Sequence, residues 1–584
     1  MARRTLLTGT IAVTAALSGS TMAFAAPGAR PRATANRVAV LGGGVGGLTA
    51  AHELAERGFA VTVYERKALG GKARSIPVPG TATGGRLDLP GEHGFRFFPG
   101  FYQNIPDTMS RIPFSGNAGG VRDNLVNAAD EMGAWNGKTF ELPTAGSLEG
   151  NLTPQALLEY LKLLATVTGA IPLAEIAVFG SKILTLLTSG PKRRLGQWEN
   201  TSYADFIVAA KMSENYRTVM VDLLTSTLVA AKPDKANTRT MGLMAEAWLY
   251  SSLGLGGYGS PDRLLSAPTS EAWIDPWVSH LSSLGVGFRT ATVTELTYGS
   301  GRITGARALD AAGAATTIEA DWYVLAVPVE RAVPMLGPQL LAADPRLARL
   351  KNLTTSWMNG VMIYTTRPVA INNGHVGYPG QPWALTSISQ GQFWRKNFAA
   401  SYGDGTVVDC LSIDLSNWDA PGILYGKAAR DCTPDQIIAE VLAQLRKALP
   451  NGDSLLPDSI IHSWFIDPAI TGAGTPGVVN DEPLLINTPS SWQNRPDAVT
   501  AVPNLFLAAD YVRTDINLAT MEGANEAGRA AANGVLAGSG SSAAPAKLFK
   551  LYAPPEIKLF WDVDDFRYLI GLPNQFDLLY PAWP

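Results

Sequence analysis

Arg37-Val38-Ala39-Val40-Leu41-Gly42-Gly43-Gly44-Val45-Gly46-Gly47 is the stretch that decides the fold. Its first five residues read as a short apolar strand, and glycines follow with G-x-G-x-x-G spacing at 42, 44 and 47. From Leu48 to Arg57 the spacing is helical, with Leu48, Ala51, Leu54 and Ala55 on one face and Gly58 as the stop. Phe59-Ala60-Val61-Thr62-Val63-Tyr64 reads as a second strand, ended by Glu65. Each residue type has a task in holding a dinucleotide. Gly42 permits a tight turn, Gly44 lets the backbone approach a pyrophosphate, and Gly47 lets the helix pack closely on the sheet. The helix N-terminus offers free N–H groups and the positive end of a dipole to the phosphates. Glu65, 18 residues past Gly47, stands where a carboxylate binds ribose hydroxyls. A glycine-rich turn in an ordinary α/β domain would account for the glycines alone. Strand, helix, second strand and acid together predict a dinucleotide site.

The rest of the composition narrows the class. The chain has 584 residues, 46% hydrophobic and 17% charged, which is material for a large core and excludes a disordered or fibrous chain. Forty-seven basic against 50 acidic residues leave a net charge of −3, so there is no cationic excess for nucleic acid, and none is expected as a partner. Two cysteines, Cys410 and Cys432, cannot build a four-cysteine zinc site, though they could pair with each other. His52, His93, His280, His375 and His462 form no close ligand motif, so no metal is expected.

The N-terminus reads as an address. Arg3-Arg4-Thr5-Leu6-Leu7, an uncharged small and apolar run to Ala26, and Ala23-Phe24-Ala25 as a cleavage site describe a signal peptide over 1–26 resembling the twin-arginine type. The expectation is an exported protein, extracytoplasmic or peripheral to a membrane, with no spanning helix beyond the leader.

Glu65-Arg66-Lys67-Ala68-Leu69-Gly70-Gly71-Lys72-Ala73-Arg74 resembles the second motif of the flavin amine oxidase and phytoene desaturase superfamily, in its desaturase or hydroxysqualene dehydroxylase-like branch. That resemblance implies FAD, with Glu65, Arg66, Gly70, Gly71 and Lys72 facing it. Asp88 to Phe98 looks like the superfamily's stretch beside the isoalloxazine, which implicates Gly91 and His93. A His93 that only ties down its loop is the competing reading. Far down the chain, Asn504 to Asp510 reads as a buried strand ending in an acid, and Met521-Glu522-Gly523-Ala524 opens a helix. By resemblance Asp510 holds the ribityl chain and the Met521 end of the helix points at the flavin. Val293, before Gly299-Ser300-Gly301, resembles the strand whose backbone holds the adenine. The implied fold class is α/β: a Rossmann-like FAD-binding domain of the GR2 type over 37–110, 260–330 and 495–540, with a discontinuous α+β substrate domain over 111–259 and 331–494. Gly538 to Ser542 reads as a linker to an aromatic-rich tail, 541–584, expected to wrap onto the body.

The substrate end is read from what is missing. Amine oxidases of this superfamily commonly place an aromatic residue just before the Met-Glu-Gly-Ala block and a lysine near the flavin. This chain has Thr520 there, and no lysine in Trp357 to Met362. Apolar residues over 157–187, broken at Gly169 to Pro172 and followed by Pro191-Lys192-Arg193-Arg194, read either as core helices or as cap helices at a lipid-like entrance. Phe95, Phe97, Phe98, Phe101, Tyr102, Trp357 and Trp394 could line a tunnel or pack in the core. The expected activity is dehydrogenation or desaturation of a hydrophobic, isoprenoid-like small molecule by hydride transfer to flavin N5, with O2 or a quinone as electron acceptor. An amine or amino-acid oxidase using O2 is the alternative. Glu92 and Arg96 are the candidate substrate-facing groups, against plain loop anchoring.

Overall fold

The structure, a computed structural model, describes residues 36–94, 97–142, 171–227, 229–257, 259–369 and 371–577. The leader, Phe95, Arg96, the apolar run over 157–170, and Tyr580 and Trp583 lie outside the described residues.

Strand β1 (Arg37–Leu41) is buried along its length after Arg37, because Val38, Val40 and their neighbours are covered on both faces. It pairs in parallel with β2 (Ala60–Glu65), and helix α1 (Val45–Ala55) makes the crossover between them. The remaining strands of this sheet come from much later in the chain: β3 (Gly287–Gly299), β4 (Arg302–Asp310), β5 (Ala315–Ile318), β6 (Trp322–Leu325) and β7 (Leu505–Leu507). The order is β5-β4-β3-β2-β1-β6-β7. β3, β2, β1, β6 and β7 run parallel, and β4 and β5 fold back antiparallel on β3. Helix α2 (Met521–Ser539) follows β7 and packs on α1.

Two glycines show why the sequence takes this path. Gly42 leaves β1 with φ +114°, and a Cβ there would lie 2.5 Å from the Ala326 carbonyl oxygen. At Gly47 a Cβ would fall on the Gly42 carbonyl oxygen, so the helix can turn back over the strand only without one. Gly58, at φ +83°, lets the chain leave α1 for β2.

A second sheet is mostly antiparallel, in the order 461–466, 359–365, 409–415, 385–389, 376–377, 131–135, 138–142. It packs its apolar face on the amphipathic helix Pro434–Ala448, which begins with a Thr433/Gln436 capping box. Trp357 and Trp394 belong to cores around this sheet, Trp357 packed on Trp418 and Trp394 stacked on Phe398. Cys410 and Cys432 are both buried and unpaired.

Two expectations about the chain's ends are corrected. Gly538 and Ser539 belong to the last turn of α2 rather than to a linker, and the left-handed Gly540 (φ +69°) closes the helix. Of the basic run at 192–194, read at one end of the cap-helix alternative as a head-group site, Lys192 is exposed but Arg193 and Arg194 turn inward. Arg193 is buried with its Nε 2.9 Å from Asp564, and Arg194 pairs with Glu246 at 2.7 Å. Arg193 is drawn inward because helix α3 (Lys558–Leu569) of the tail lies against the helices Leu173–Thr188 and Pro191–Gly196 and brings Asp564 with it, whereas Arg194 meets Glu246 of the helix Thr238–Ser252 and the Trp561 ring of α3. Lys182 pairs with Asp577 in the same way, 2.8 Å apart. In the described half of the apolar run, Ile176, Phe179, Leu186 and Leu187 are core. Among the described residues no single helix is long and apolar enough to cross a membrane.

Asp564 is fully buried and accepts from Arg193, Asn574 and the Gly190 N–H. Asp564→Ala would strand the Arg193 guanidinium in the interior, at a cost of about 3–5 kcal/mol. Urea unfolding should show that loss as a lower midpoint, and an unchanged midpoint would mean that the tail adds nothing to the body.

Candidate functional site

Two cavities flank the turn between β1 and α1. The first, about 400 Å³, lies over the ends of β2 and β3 and is bordered by Gly42, Glu65, Arg66, Val293 and Arg331. The second, about 320 Å³, is bordered by Gly44, Gly70, Lys72, His93, Asp510 and Met521, and continues into an apolar chamber. Both volumes lie in the range of small-molecule and cofactor sites. Three separate stretches of chain thus meet at one place, because β1, β6 and β7 are adjacent strands whose C-terminal ends carry Gly42, Ala326 and Ala508-Ala509-Asp510.

The phosphate-sized opening sits at the start of α1. Gly44 is the N-cap and has no side chain to satisfy the first N–H groups. A Cβ added to it would meet nothing nearer than the Gly71 Cα, 4.0 Å away. Gly70 and Gly71 cross directly in front, with Gly70 bridging to Gly44. The Glu65 carboxylate accepts from the Gly43 N–H (2.8 Å) and the Lys67 N–H (2.9 Å), which fixes it at the strand end. At the far side Thr520 caps α2 by accepting from the Gly523 N–H at 3.0 Å, and Met521 opens the helix on the cavity wall. This donor set suits an anionic dinucleotide: unsatisfied helix N–H groups for phosphate, acids for sugar hydroxyls, and a second helix N-terminus for negative charge on a ring system.

Other expected site residues are placed differently. Arg66 borders the first cavity, but its guanidinium is 2.8 Å from Asp481. Lys72 borders the second while bonding the Pro483 carbonyl and lying 3.4 Å from Glu330. Gly91 is away from the cavity wall. It lies against Phe465, whose ring leaves no room for a side chain, so its role is packing. Glu92 is corrected from substrate-facing to anchoring. It is buried, and its Oε1 accepts from the Thr269 N–H (2.9 Å) and the Ser75 hydroxyl (3.2 Å). Arg96 lies outside the described residues. Of the aromatic cluster, Phe97 and Tyr102 border the chamber, while Phe98 and Phe101 are core.

Sequence reasoning missed a charged belt that joins the two sheets. Asp481 and Glu482, from the loop before 484–486, receive Arg66, Lys67, Arg74 and Arg331. Burial alone would raise the Asp481 carboxyl, but the Lys67 and Arg66 contacts hold it down at about 2. Glu482 is lowered too, chiefly by Arg74 and His93 against its own burial. No local pattern marks these acids, since their partners are more than 400 positions away for Arg66, Lys67 and Arg74.

His52, Glu56 and His280 also converge, within 4.8 Å of one another. Trp277 Nε1 donates to His52 Nδ1 at 3.1 Å, so the proton of a neutral His52 sits on Nε2, facing Glu56 at 3.0 Å. That tautomer offers no lone pair to an ion, and His52 with Glu56 and Trp277 forms a hydrogen-bonded support for α1, with the His280 ring packed edge-on to His52.

Gly44→Val would place a branched side chain in the opening between α1 and Gly71. The expected outcome is a soluble protein that purifies without bound cofactor, read from its visible absorbance; retention of the wild-type cofactor content would displace the phosphate site from this turn.

The family model for flavin containing amine oxidoreductases matches residues 45–536. A carotenoid phi-ring synthase of Streptomyces griseus is 25% identical over 88% of this chain and 90% of its own. The zeta-carotene desaturase of Zea mays is 23% identical over 84% and 82%. The 15-cis-phytoene desaturase of Synechococcus elongatus is 22% identical over 86% and 96%. Among solved structures, putrescine oxidase bound to putrescine superposes with a TM-score of 0.54 at 12% identity, covering 86% of this chain and 99% of its own. Cyclohexylamine oxidase from Brevibacterium oxydans gives 0.54 at 14%, covering 87% and 99%. At such identities the two structures speak for the fold alone. With the family match running from the first residue of α1 almost to the end of α2, and covering both cavities' lining apart from Gly42 and Gly44, the chain belongs to the flavin-containing amine oxidoreductase family and is an FAD-dependent oxidoreductase.

Proposed function

We propose that the protein dehydrogenates an apolar, isoprenoid-like substrate. The observation that carries this reading is the wall of the chamber beyond the cofactor end. Val229, Met241, Met358, Leu484, Ile486 and Leu518 form it, with Thr520 beside the α2 N-terminus and no lysine in the 357–362 stretch that contributes Met358. A wall of that kind binds hydrocarbon by excluding water, at about 25 cal/mol per Å² of apolar surface covered. The desaturase relatives, which cover nearly the whole chain, support the same substrate class.

In this reading, Gly42, Gly44, Gly70 and Gly71 give FAD its close backbone approach. Glu65 and Asp510 bind its hydroxyls, Val293 borders the adenine, and the α2 N-terminus at Met521 faces the ring system. FAD supplies a two-electron hydride acceptor when bound, and the protein supplies position and field. O2 or a quinone then takes the electrons. Thr240 and Asn237 add a small polar patch to the chamber.

A second reading, amine oxidation, is favoured by one feature: Asp414, a buried acid on the chamber wall. An ammonium group could be held there. The two readings part cleanly under anaerobic conditions. Polyprenes should bleach the bound flavin while a broad panel of primary amines and amino acids leaves it yellow; bleaching by amines alone reverses the assignment.

Export by a twin-arginine route fits an enzyme that folds around its cofactor before crossing a membrane. Replacing Arg3 and Arg4 together by lysine should retain the full-length protein, with its flavin, in the cytoplasmic fraction. Unchanged export would remove the twin-arginine assignment.

A further inference from the structure

Dehydrogenation of a carbon–carbon bond breaks two C–H bonds. One hydrogen leaves as hydride with both its electrons, which FAD accepts. The other leaves as a proton, and the electron pair of its bond becomes the new double bond. A base must receive that proton, and the groups first expected there do not. Glu92 is turned into the fold. Lys72 is bonded to Pro483 and lies against Glu330, and Asp510 stands at the cofactor end. Tyr102 borders the chamber, but burial and then the nearby Glu522 charge raise its phenol well above the ordinary value, so it stays protonated.

We propose that His93 is the base that takes the substrate's proton, and that Asp467 is the residue that positions it; the proposal rests on the dehydrogenase reading above. His93 borders the chamber, and its Nδ1 lies 2.5 Å from Asp467 Oδ2, a charge contact that stands off the line of an N–H···O hydrogen bond. Asp467 is fully buried, and its oxygens are fixed from the other side. Asn359 Nδ2 donates to Oδ2 at 2.7 Å, the Ala469 N–H donates to Oδ1 at 2.9 Å, and Asn480 holds Asn359 in turn at 2.7 Å. Burial by itself would raise the Asp467 carboxyl, but His93 and these donors keep it below the usual carboxylate range. An anion fixed this close favours the proton on Nδ1 by its charge and leaves Nε2 with its lone pair, which is the arrangement that makes a histidine a base.

The surrounding charges agree. Glu482 is 3.8 Å from His93 Nδ1, but it already receives Arg74 at 3.3 Å and Lys67 at 3.0 Å. Asp414 approaches through Gly94, the residue after His93, where an added Cβ would lie 2.9 Å from the carboxylate. The loop itself needs no imidazole. Its main chain is tied by the Gly360 N–H, which donates to the His93 carbonyl at 2.5 Å. After turnover the proton passes from the imidazolium to solvent.

The test has two arms. In the first, 15N NMR of histidine-labelled holoenzyme reads the tautomer without any substrate. The expected state of neutral His93 is Nδ1–H with bare Nε2, and it should be lost in Asp467→Asn. An Nε2–H ring in the wild type overturns the proposal whatever the substrate is. The second arm follows anaerobic flavin reduction by a polyprene across pH in wild type and His93→Ala. The variant should keep its flavin, lose about 100-fold or more in rate, lose the fall in rate toward acid pH, and recover in part with added imidazole. Asp467→Asn should slow reduction while keeping the acid limb. A His93→Ala enzyme within about three-fold of wild type, or a slow one that imidazole does not rescue, sinks the base while leaving the dehydrogenase reading intact. Absence of reduction by any polyprene sinks that reading instead, and the tautomer measurement still decides on His93.

Discussion

The fit of α2 against α1 is the constraint on which the site depends. Residues 45–55 and 521–539 meet so closely that a Cβ on Gly528 would lie 2.7 Å from the Thr49 Cβ, and one on Gly46 would lie 3.1 Å from the Ala524 carbonyl oxygen. Asn525 donates to Thr49 at 2.8 Å and to Thr108 at 3.0 Å, which fixes the register of the crossing. Small residues permit the approach, and the buried amides set its angle. Only when these helices are in place do their two N-termini converge on the same cavity. One can then serve phosphate and the other the ring system.

A second constraint couples this half to the antiparallel sheet. The loop from Asp467 to Glu482 carries acids that reach the second flavin motif and the stretch after β2. Arg66, Lys67, Arg74 and His93 all find their partners there. The Arg74 and His93 contacts are largely removed from water, so they depend on a complete set of partners rather than on charge alone, while Arg66 and Lys67 close the belt at its solvent edge. Both walls of the chamber are therefore held to the same polar belt, and the histidine on that belt is the one that borders the substrate space.

The tail illustrates how burial changes the meaning of a sequence feature. Pro191-Lys192-Arg193-Arg194 is a basic run in the sequence, and one of its two readings there is a patch near lipid head groups. In the structure Arg193 is interior, because Asp564, itself held by Asn574, arrives from 371 residues downstream to meet it. The same holds for Glu92. Its place in a motif beside the flavin suggests chemistry, yet the donors it meets, Ser75 and Thr269, lie on strand and loop segments that fold over it.

The sequence by itself determined the cofactor half. Glycines at 42, 44 and 47, a strand on either side, Glu65, and a distant acid before Met521 are local patterns, and local patterns survive without knowledge of the fold because turns, helix starts and strand ends are set by neighbours in the chain. Family resemblance then supplied FAD. The tertiary structure alone decided which side chains face the chamber. A histidine is a base or a loop anchor according to what stands 2.5 Å from its ring, and Asp467 stands 374 positions away in the chain. Side-chain direction and burial are properties of packing between elements, and packing partners leave no periodic mark on one another's sequence.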